Sequence, residues 1–475
     1  MASFNNANAI NIRLSLAYLS ASLKAAGHEV NLIDTRLLTG WKQYQRLVKK
    51  QAPDFLGVSM HTAEFEVGIE CCYYAKKVDE TIKTCIGGIH PTMFPKQSLN
   101  TKVVDFVLRG EGEVSFPELI ENPNKFPPSF WGKTPDLDAI PFLDRELWPD
   151  YKKRIQISFL GGLTPPVVEL LTARGCPFHC KFCCGPGEQN LFSVEKDGKR
   201  VPYIRQRSVN NVMEELLQLY ARYKFKGILI YDDQFLLNPK WVQNFCKAMH
   251  DYGFVEKGIE WFAACRANLI VKYKDIFEEM KNAGVKAVSV GYESFSDRML
   301  KWLNKGTTVA QNWKASEILR KLDIRIYGNI IFGVPYSDGI WYREDDIKNV
   351  KAIFQIKPEY TAYSFFTPVP GSPLYRFCIE KNLFLAHTTN LLGSRLPNEA
   401  KIKGVDYKYL NRLISSVIKK PNLPFYIIFS KNKIIKDTYD KIKNYYRLLK
   451  IFRYINAFTT KLRKEIAFHH LKKRK

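Results

Sequence analysis

Apolar positions along residues 12–121 alternate between two periods. "LSLAYLSASLKAAGH" carries them at helical spacing and stops at Gly27, "EVNLID" reads as a buried strand, and "DFLGVSMH" reads as another. The amphipathic "FEVGIECCYYAKKV" follows, then "KTCIGGIHPT", "VDFVLRGEGE" and the helix-like "SFPELIEN". Helix and strand periods that trade places in this way predict a doubly wound, Rossmann-like parallel sheet over residues 1–121. Ligands of such sheets sit at the strands' carboxyl ends, here "SMHT", "GGIHPT" and "RGEGE". Gly87, Gly88 and Gly110 would let the backbone approach a ligand closely, or would simply turn the chain.

Between 122 and 166 the pattern lapses. Prolines and glycines in "NPNKFPPSFWGKTPDLDAIPF" and "LGGLTPPV" break both periods, so an ordered linker is expected. A second alternation then begins. Strand-like runs at 167–173, 227–233, 259–265, 286–293, 324–333 and 360–368 are separated by helix-like ones. In the first of these helices Ser208 is a candidate N-cap, and Val212, Leu216 and Tyr220 form one stripe. Six βα units predict a partial TIM-type (βα)6 barrel over 167–389. The last segment, 390–475, shows no such alternation and reads as a basic, mostly helical C-terminal region.

Charge changes the picture only at that end. From residue 401 onward there are 21 Lys/Arg against 4 Asp/Glu, a net +17 of the chain's +25. A solvated helical face, a surface drawn to anionic lipid and a nucleic-acid contact are all open to this segment. The lipid reading is suggested by "YYRLLKIFRYINAFTTKLRK", where lysines and arginines interleave with aromatic and aliphatic residues. No run of about eighteen apolar residues predicts a spanning helix. The first residues lack the order of a secretory signal, so a cytoplasmic protein is expected, with contact at the inner membrane face the further expectation for the tail.

Candidate chemistry concentrates in "ARGCPFHCKFCCGPG", residues 173–187, which holds four of the ten cysteines. Cys176, Cys180 and Cys183 have the spacing CxxxCxxC and follow the first strand of the second alternation. Thiolates favour iron–sulfur clusters, zinc or copper(I). Structural zinc wants four ligands, usually in two well-separated pairs. Three cysteines on one loop instead suit a four-iron cluster with one iron left open, although zinc and redox thiols stay open on spacing alone. Cys184, Cys246, Cys265 and Cys378 read as core or loop thiols.

The pattern CxxxCxΦC, with Phe182 as the aromatic Φ, resembles the signature of the radical S-adenosylmethionine (radical SAM) enzymes. "IYDDQF", "VSVGYESFSDRMLKWLNKG", "NIIFGVP" and "TPVPGSPLY" are similar to that superfamily's later strand-end segments, so the resemblance covers about residues 165–385. With "GGIHPT…RGEGE" ahead of it, the chain resembles the subgroup that has an N-terminal cobalamin-binding domain. That subgroup includes methyltransferases of unreactive carbon or phosphorus and anaerobic tetrapyrrole cyclases.

The resemblance implies a [4Fe-4S] cluster on Cys176, Cys180 and Cys183, whose open iron binds the amino and carboxylate groups of S-adenosylmethionine. One electron, from a donor such as flavodoxin or ferredoxin, then cleaves a carbon–sulfur bond, and a 5′-deoxyadenosyl radical takes hydrogen from substrate. It implies Asp232 or Asp233 for the ammonium, Arg266 for the carboxylate, Glu293 and Ser294 for the ribose hydroxyls. Phe182 would lie by the adenine, and the Ile331 and Gly333 backbone would contact it. Around cobalamin it implies Ser59, His61, Gly87, Gly88, His90, Gly110 and Glu111; His61 and His90 also read as plain polar loop residues.

There are departures from the subgroup. Asn329 and Tyr336 stand where glycine and glutamate are usual. The first strand is not visible before Arg13, which is expected to weaken cobalamin binding. No D-x-H-x-x-G histidine is present, so cobalt would carry no protein imidazole below it. The expected reaction is cobalamin-dependent methylation of an unactivated carbon in a small or lipid-like substrate. The alternatives are a radical cyclase, oxidase or rearrangement enzyme without methyl transfer, and, from another class, a zinc-clamped basic nucleic-acid-binding protein. A methylthiotransferase would need three further ligating cysteines in the first domain, and only Cys71, Cys72 and Cys85 are there.

Overall fold

The computed structural model describes residues 11–157, 162–185, 190–191, 195–196, 199–200, 203–385 and 402–417. The chain forms two compact units, Met1–Leu410 and Asn411–Lys475. The second is described only through residue 417, at the end of a helix Tyr407–Val417, so most of the expected basic helical region lies outside the described residues.

The N-terminal sheet is parallel and runs in the order β1 (Phe55–Ser59), β2 (Lys83–Gly87), β3 (Phe106–Arg109), β4 (Ser129–Trp131). Helices cover both faces. Leu23 and Phe116 pack on Cys85 and Leu108, while Cys72 packs on Ile86 and Val107 on the opposite face. β4 corrects the linker reading, because "SFW" pairs with β3 despite its flanking prolines. Three residues are too few to show a period against such flanks.

"EVNLID" is also corrected: residues 29–34 carry no strand assignment. Among the described residues β1 is the edge of the sheet. A cavity of about 710 Å³ lies between it and residues 28–36, reaching from Pro53 to Ser59, Gly88 and Gly110. An apolar run becomes a strand only when a neighbouring strand takes its N–H and C=O groups, which explains why pattern alone misplaced this one.

The second sheet has six parallel strands in chain order: β5 (Val167–Leu170), β10 (Gly227–Ile230), β11 (Glu260–Cys265), β12 (Val285–Glu293), β13 (Arg325–Phe332) and β14 (Tyr360–Phe365). β5 and β14 do not pair, so the sheet is a curled, open half-barrel. Every residue of β5 and β10 is buried, as expected of parallel strands covered on both faces. Small pairs lie between β5 and β10: β6 (Ala173–Arg174) with β9 (Arg205–Gln206), and β7 (Glu195–Lys196) with β8 (Lys199–Arg200). The helix Val209–Tyr223 starts as its sequence indicates. Ser208 Oγ accepts from Asn211 N at 3.2 Å, and Val212 and Leu216 are fully buried. Such a cap stabilises a helix by about 1 kcal/mol.

Candidate active site at the mouth of the half-barrel

The cysteine loop leaves β6 directly after Arg174, at the carboxyl end of the barrel. Its own backbone offers few internal bonds, so neighbouring elements hold it. Lys181 N donates to Leu303 O at 2.9 Å, Leu374 N donates to Lys181 O at 2.9 Å, and Asn304 Nδ2 donates to His179 O at 2.8 Å. The segments "LNKG" and "GSPLY" therefore fasten the loop from β12 and β14.

Cys180 is buried, Cys176 half-buried and Cys183 exposed. Burial raises the Cys176 thiol above its ordinary pKa, and Asp233, Cys180 and Cys183 raise it further. N–H donors already point at two sulfurs: Arg266 Nη1 lies 3.3 Å from Cys180 Sγ, and Gly185 N lies 3.4 Å from Cys183 Sγ. Thiolates that ligate a cluster characteristically accept such bonds. Among the described residues no three His, Cys, Asp or Glu side chains converge on a single-ion site. Three thiols on one loop, with N–H donors at two of the sulfurs, fit an iron–sulfur cluster.

The acidic pair after β10 divides its work. Asp232 is buried and accepts from Thr172 N at 2.7 Å and Ala173 N at 3.1 Å, as well as from the Thr172 hydroxyl. It locks the corner between β5 and β6, and burial lifts its pKa to about 7. Asp233 is exposed and sits beside Cys176, with Gly175 N donating to it. Of the two, Asp233 is the carboxylate open to a ligand.

Glu293 ends β12 with φ +61°, a left-handed conformation that costs a non-glycine residue about 1–3 kcal/mol. Its Oε1 lies 2.9 Å from Lys305 Nζ, and both side chains are nearly buried. A Cβ on Gly291 would stand 2.7 Å from Glu293 Oε1 and 2.9 Å from Lys305 Nζ, so the missing side chain makes room for this pair. Ser294 is fully buried. Its hydroxyl donates to Asn349 Oδ1 at 3.2 Å, which makes it a turn-holding residue. Gly333 N is likewise engaged, donating to Asp346 Oδ2 at 3.1 Å, and Ile331 O accepts from Asn349 Nδ2 at 3.4 Å. Phe182 packs on the cluster of Met299, Leu303 and Phe366, with Lys305 Nζ 5.8 Å from its ring. Cys265 shares the outward face of β11 with Trp261, which packs on Phe245 of the helix Pro239–Asp251, so it turns away from the mouth.

At the N-terminal sheet, Ser59 Oγ donates to Ser15 Oγ at 3.3 Å, and His61 caps the turn Thr62–Glu64. His90 is buried between Phe65 and Phe94, with Nδ1 3.1 Å from Thr62 Oγ1, and burial lowers its pKa to about 4. Gly88 has φ +95°, and a Cβ there would stand 2.7 Å from Met60 O, so its first reason is the close passage of β1's exit. Gly87 lies against Leu108 O, and Gly110 N donates to Thr92 Oγ1 at 2.9 Å. Glu111 Oε1 takes Arg174 Nη1 at 2.8 Å and Arg205 Nη2 at 2.6 Å. With Glu113 on Arg174 at 2.7 Å, "RGEGE" is joined to the root of the cysteine loop. Sequence reasoning missed Arg174, Arg205 and Lys305. The only signal for them was their adjacency to segments already singled out.

Residues 170–341 match the model of the Radical SAM superfamily, and residues 4–120 match that of the B12 binding domain. An uncharacterized methyltransferase of Pyrococcus horikoshii is 28% identical over 450 residues, 90% of each chain. The anaerobic magnesium-protoporphyrin IX monomethyl ester cyclase of Cereibacter sphaeroides is 25% identical over 383 residues, 76% of this chain and 59% of that enzyme. The fold is similar to that of the radical S-adenosylmethionine methyltransferase TsrM from Kitasatospora setae, solved with cobalamin and a [4Fe-4S] cluster bound. The TM-score is 0.61 at 17% identity, over 80% of this chain and 77% of that one. The cofactors are accordingly a [4Fe-4S] cluster, S-adenosylmethionine and cobalamin. With its cysteine loop at the mouth of an open half-barrel and a B12-binding sheet ahead of it, the chain belongs to the radical SAM superfamily, in the cobalamin-dependent group of methyltransferases and cyclases.

Proposed function

We propose that this enzyme methylates an unactivated carbon of a small or lipid-like substrate. One observation carries the reading: the cysteine loop, with donors aimed at two of its sulfurs, is rooted through Arg174 in the "RGEGE" loop of the B12-binding sheet. This ion pairing supports a reading in which the two cofactors work side by side. When bound, the cluster and S-adenosylmethionine supply a carbon radical on one-electron reduction, and cobalamin supplies a transferable methyl group.

The chain's own residues then bind and orient. Cys176, Cys180 and Cys183 hold the cluster, Asp233 meets the methionine ammonium, and Glu293 with Lys305 meets the ribose hydroxyls. Phe182 and the Ile331 carbonyl border the adenine. The electron comes from a small one-electron donor protein. In the same reading the basic C-terminal segment brings the enzyme to anionic lipid, where a lipid-like substrate is met.

A cyclase among the relatives favours a second reading, radical ring closure without methyl transfer. Anaerobic purification with added cobalamin, metal and cobalamin quantitation and a S-adenosylmethionine cleavage assay test the first reading. It requires about four irons per chain, lost on Cys180→Ala, and bound cobalt. Cobalamin-free protein that still yields 5′-deoxyadenosine would move the assignment to the second. Iron-poor protein would sink both.

A further inference from the structure

Arg266 follows the last residue of β11 and caps the helix Ala267–Lys272. It is 6% exposed, and its three nitrogens differ in what they meet. Nε donates to Asn268 Oδ1 at 3.4 Å. Nη1 donates to Cys180 Sγ at 3.3 Å. The guanidinium carbon stands 3.7 Å from the centroid of the Phe178 ring, which lies on the cysteine loop between Cys176 and Cys180. Nη2 is buried with no hydrogen-bond partner among the described residues, and it lies beside Gly306, whose φ of +66° is left-handed.

A charge this enclosed is costly unless something anionic meets it. No carboxylate among the described residues forms an ion pair with Arg266. The side chain it does meet is Cys180, whose sulfur is a thiolate when it holds a cluster. Stacking on Phe178 and the bond to Asn268 hold the guanidinium plane, so Nη1 is aimed at Cys180 Sγ before any metal arrives.

We propose that Arg266 is a positioning residue that sets the reduction potential of the cluster through Cys180. This rests on the reading of the loop as a cluster seat. Reduction adds one electron, from the donor protein, and makes the cluster and its thiolates more negative, with no bond made or broken. A fixed cation and an N–H on a ligand sulfur stabilise that state more than the oxidised one. Arg266 therefore raises the potential and makes the electron easier to place. The same guanidinium leaves Nη2 for the carboxylate of the sulfonium nucleotide, so substrate binding and cluster reduction draw on one side chain.

The test is a potentiometric titration of the full-length, anaerobically reconstituted protein, followed by the electron paramagnetic resonance signal of the reduced cluster. Wild type is compared with Arg266→Gln and Arg266→Lys at equal iron content. The glutamine variant is expected to reduce only at a more negative potential, with the lysine variant between it and wild type. A lost structural contact alone would lower iron content or stability and leave the midpoint where it was. If Arg266→Gln fails to hold iron, the lysine variant decides, because an ammonium keeps the charge but loses the fixed fork. Variants that keep their iron and titrate at the wild-type potential overturn the proposal. Wild-type protein that binds no iron sinks instead the functional reading beneath it.

Discussion

Arg174 lies between two glutamates of the other sheet, its Nη2 2.7 Å from Glu113 Oε1 and its Nη1 2.8 Å from Glu111 Oε1, two residues before Cys176. Fork-shaped donors meeting two carboxylates give direction as well as energy. The exit of β3 in the B12-binding sheet thus sets where the cluster loop begins. Arg205, on the strand paired with Arg174, adds a third bond to the same Glu111.

This clamp predicts the behaviour of a Glu111→Gln/Glu113→Gln double variant. Two nearly buried guanidiniums would lose their counter-charges, at a cost of about 3–5 kcal/mol. A lowered unfolding midpoint is expected, together with faster loss of reconstituted iron on desalting. Arg174→Lys should show the iron loss with a smaller drop in midpoint. Unchanged iron retention in both would show that the clamp does not reach the loop.

Asn304 makes a narrower prediction. Its Nδ2 holds the His179 carbonyl at 2.8 Å, on the exposed side of the loop. Asn304 is left-handed at φ +50°, so Asn304→Gly is the variant that leaves that carbonyl to water without straining the backbone, at about 0.5–1.5 kcal/mol. Global stability should fall by no more than that, while a chelator should strip iron several-fold faster than from wild type. Equal stripping rates would mean that the Lys181 bonds to Leu303 and Leu374 suffice.

These fastenings show what was legible in the sequence and what was not. The barrel strands could be read because their apolar residues are local, as a continuous run in "GILI" and in alternation in "EWFAAC". The cysteine spacing was legible because it is local. Asp232 and Asp233 could not be told apart, since adjacent acids differ only in what the folded chain brings to them, here the Thr172 backbone. "SFW" was unreadable as a strand for the same reason: its partner, β3, is some twenty residues away. The ion pairs of Glu111 were not legible because its partners, Arg174 and Arg205, are more than sixty residues away in the chain.

Glu293 and Lys305 form a nearly buried pair at 2.9 Å, and the pair, not either residue alone, is the unit to test. Lys305→Met strands the Glu293 carboxylate and should cost about 3–5 kcal/mol in urea unfolding. Adding Glu293→Gln should recover most of that loss, giving a coupling energy of at least about 1 kcal/mol in the double-mutant cycle. Affinity for S-adenosylmethionine should fall in all three variants. Additive losses in stability would show that the two side chains do not act together.

Asp346 gives the pH prediction. It is buried beside Gly333, accepting from Gly333 N at 3.1 Å and from Trp341 Nε1 at 2.7 Å on the same oxygen. Burial, with the neighbouring Asp345 adding repulsion, raises its pKa from the ordinary 3.8 to about 7. The folded chain therefore holds this proton more tightly than the unfolded one. Its contribution to stability is full below about pH 4 and is lost as pH rises through 7. Asp346→Asn keeps an acceptor oxygen for both donors and removes the titration. Between pH 4.5 and 8 the stability of wild type should fall relative to the variant by ~2–4 kcal/mol, read from urea midpoints. Asp232 titrates in the same range but is common to both proteins, so it cancels from the comparison. A difference that stays flat across that range would mean that the Gly333 and Trp341 donors hold the carboxylate charged.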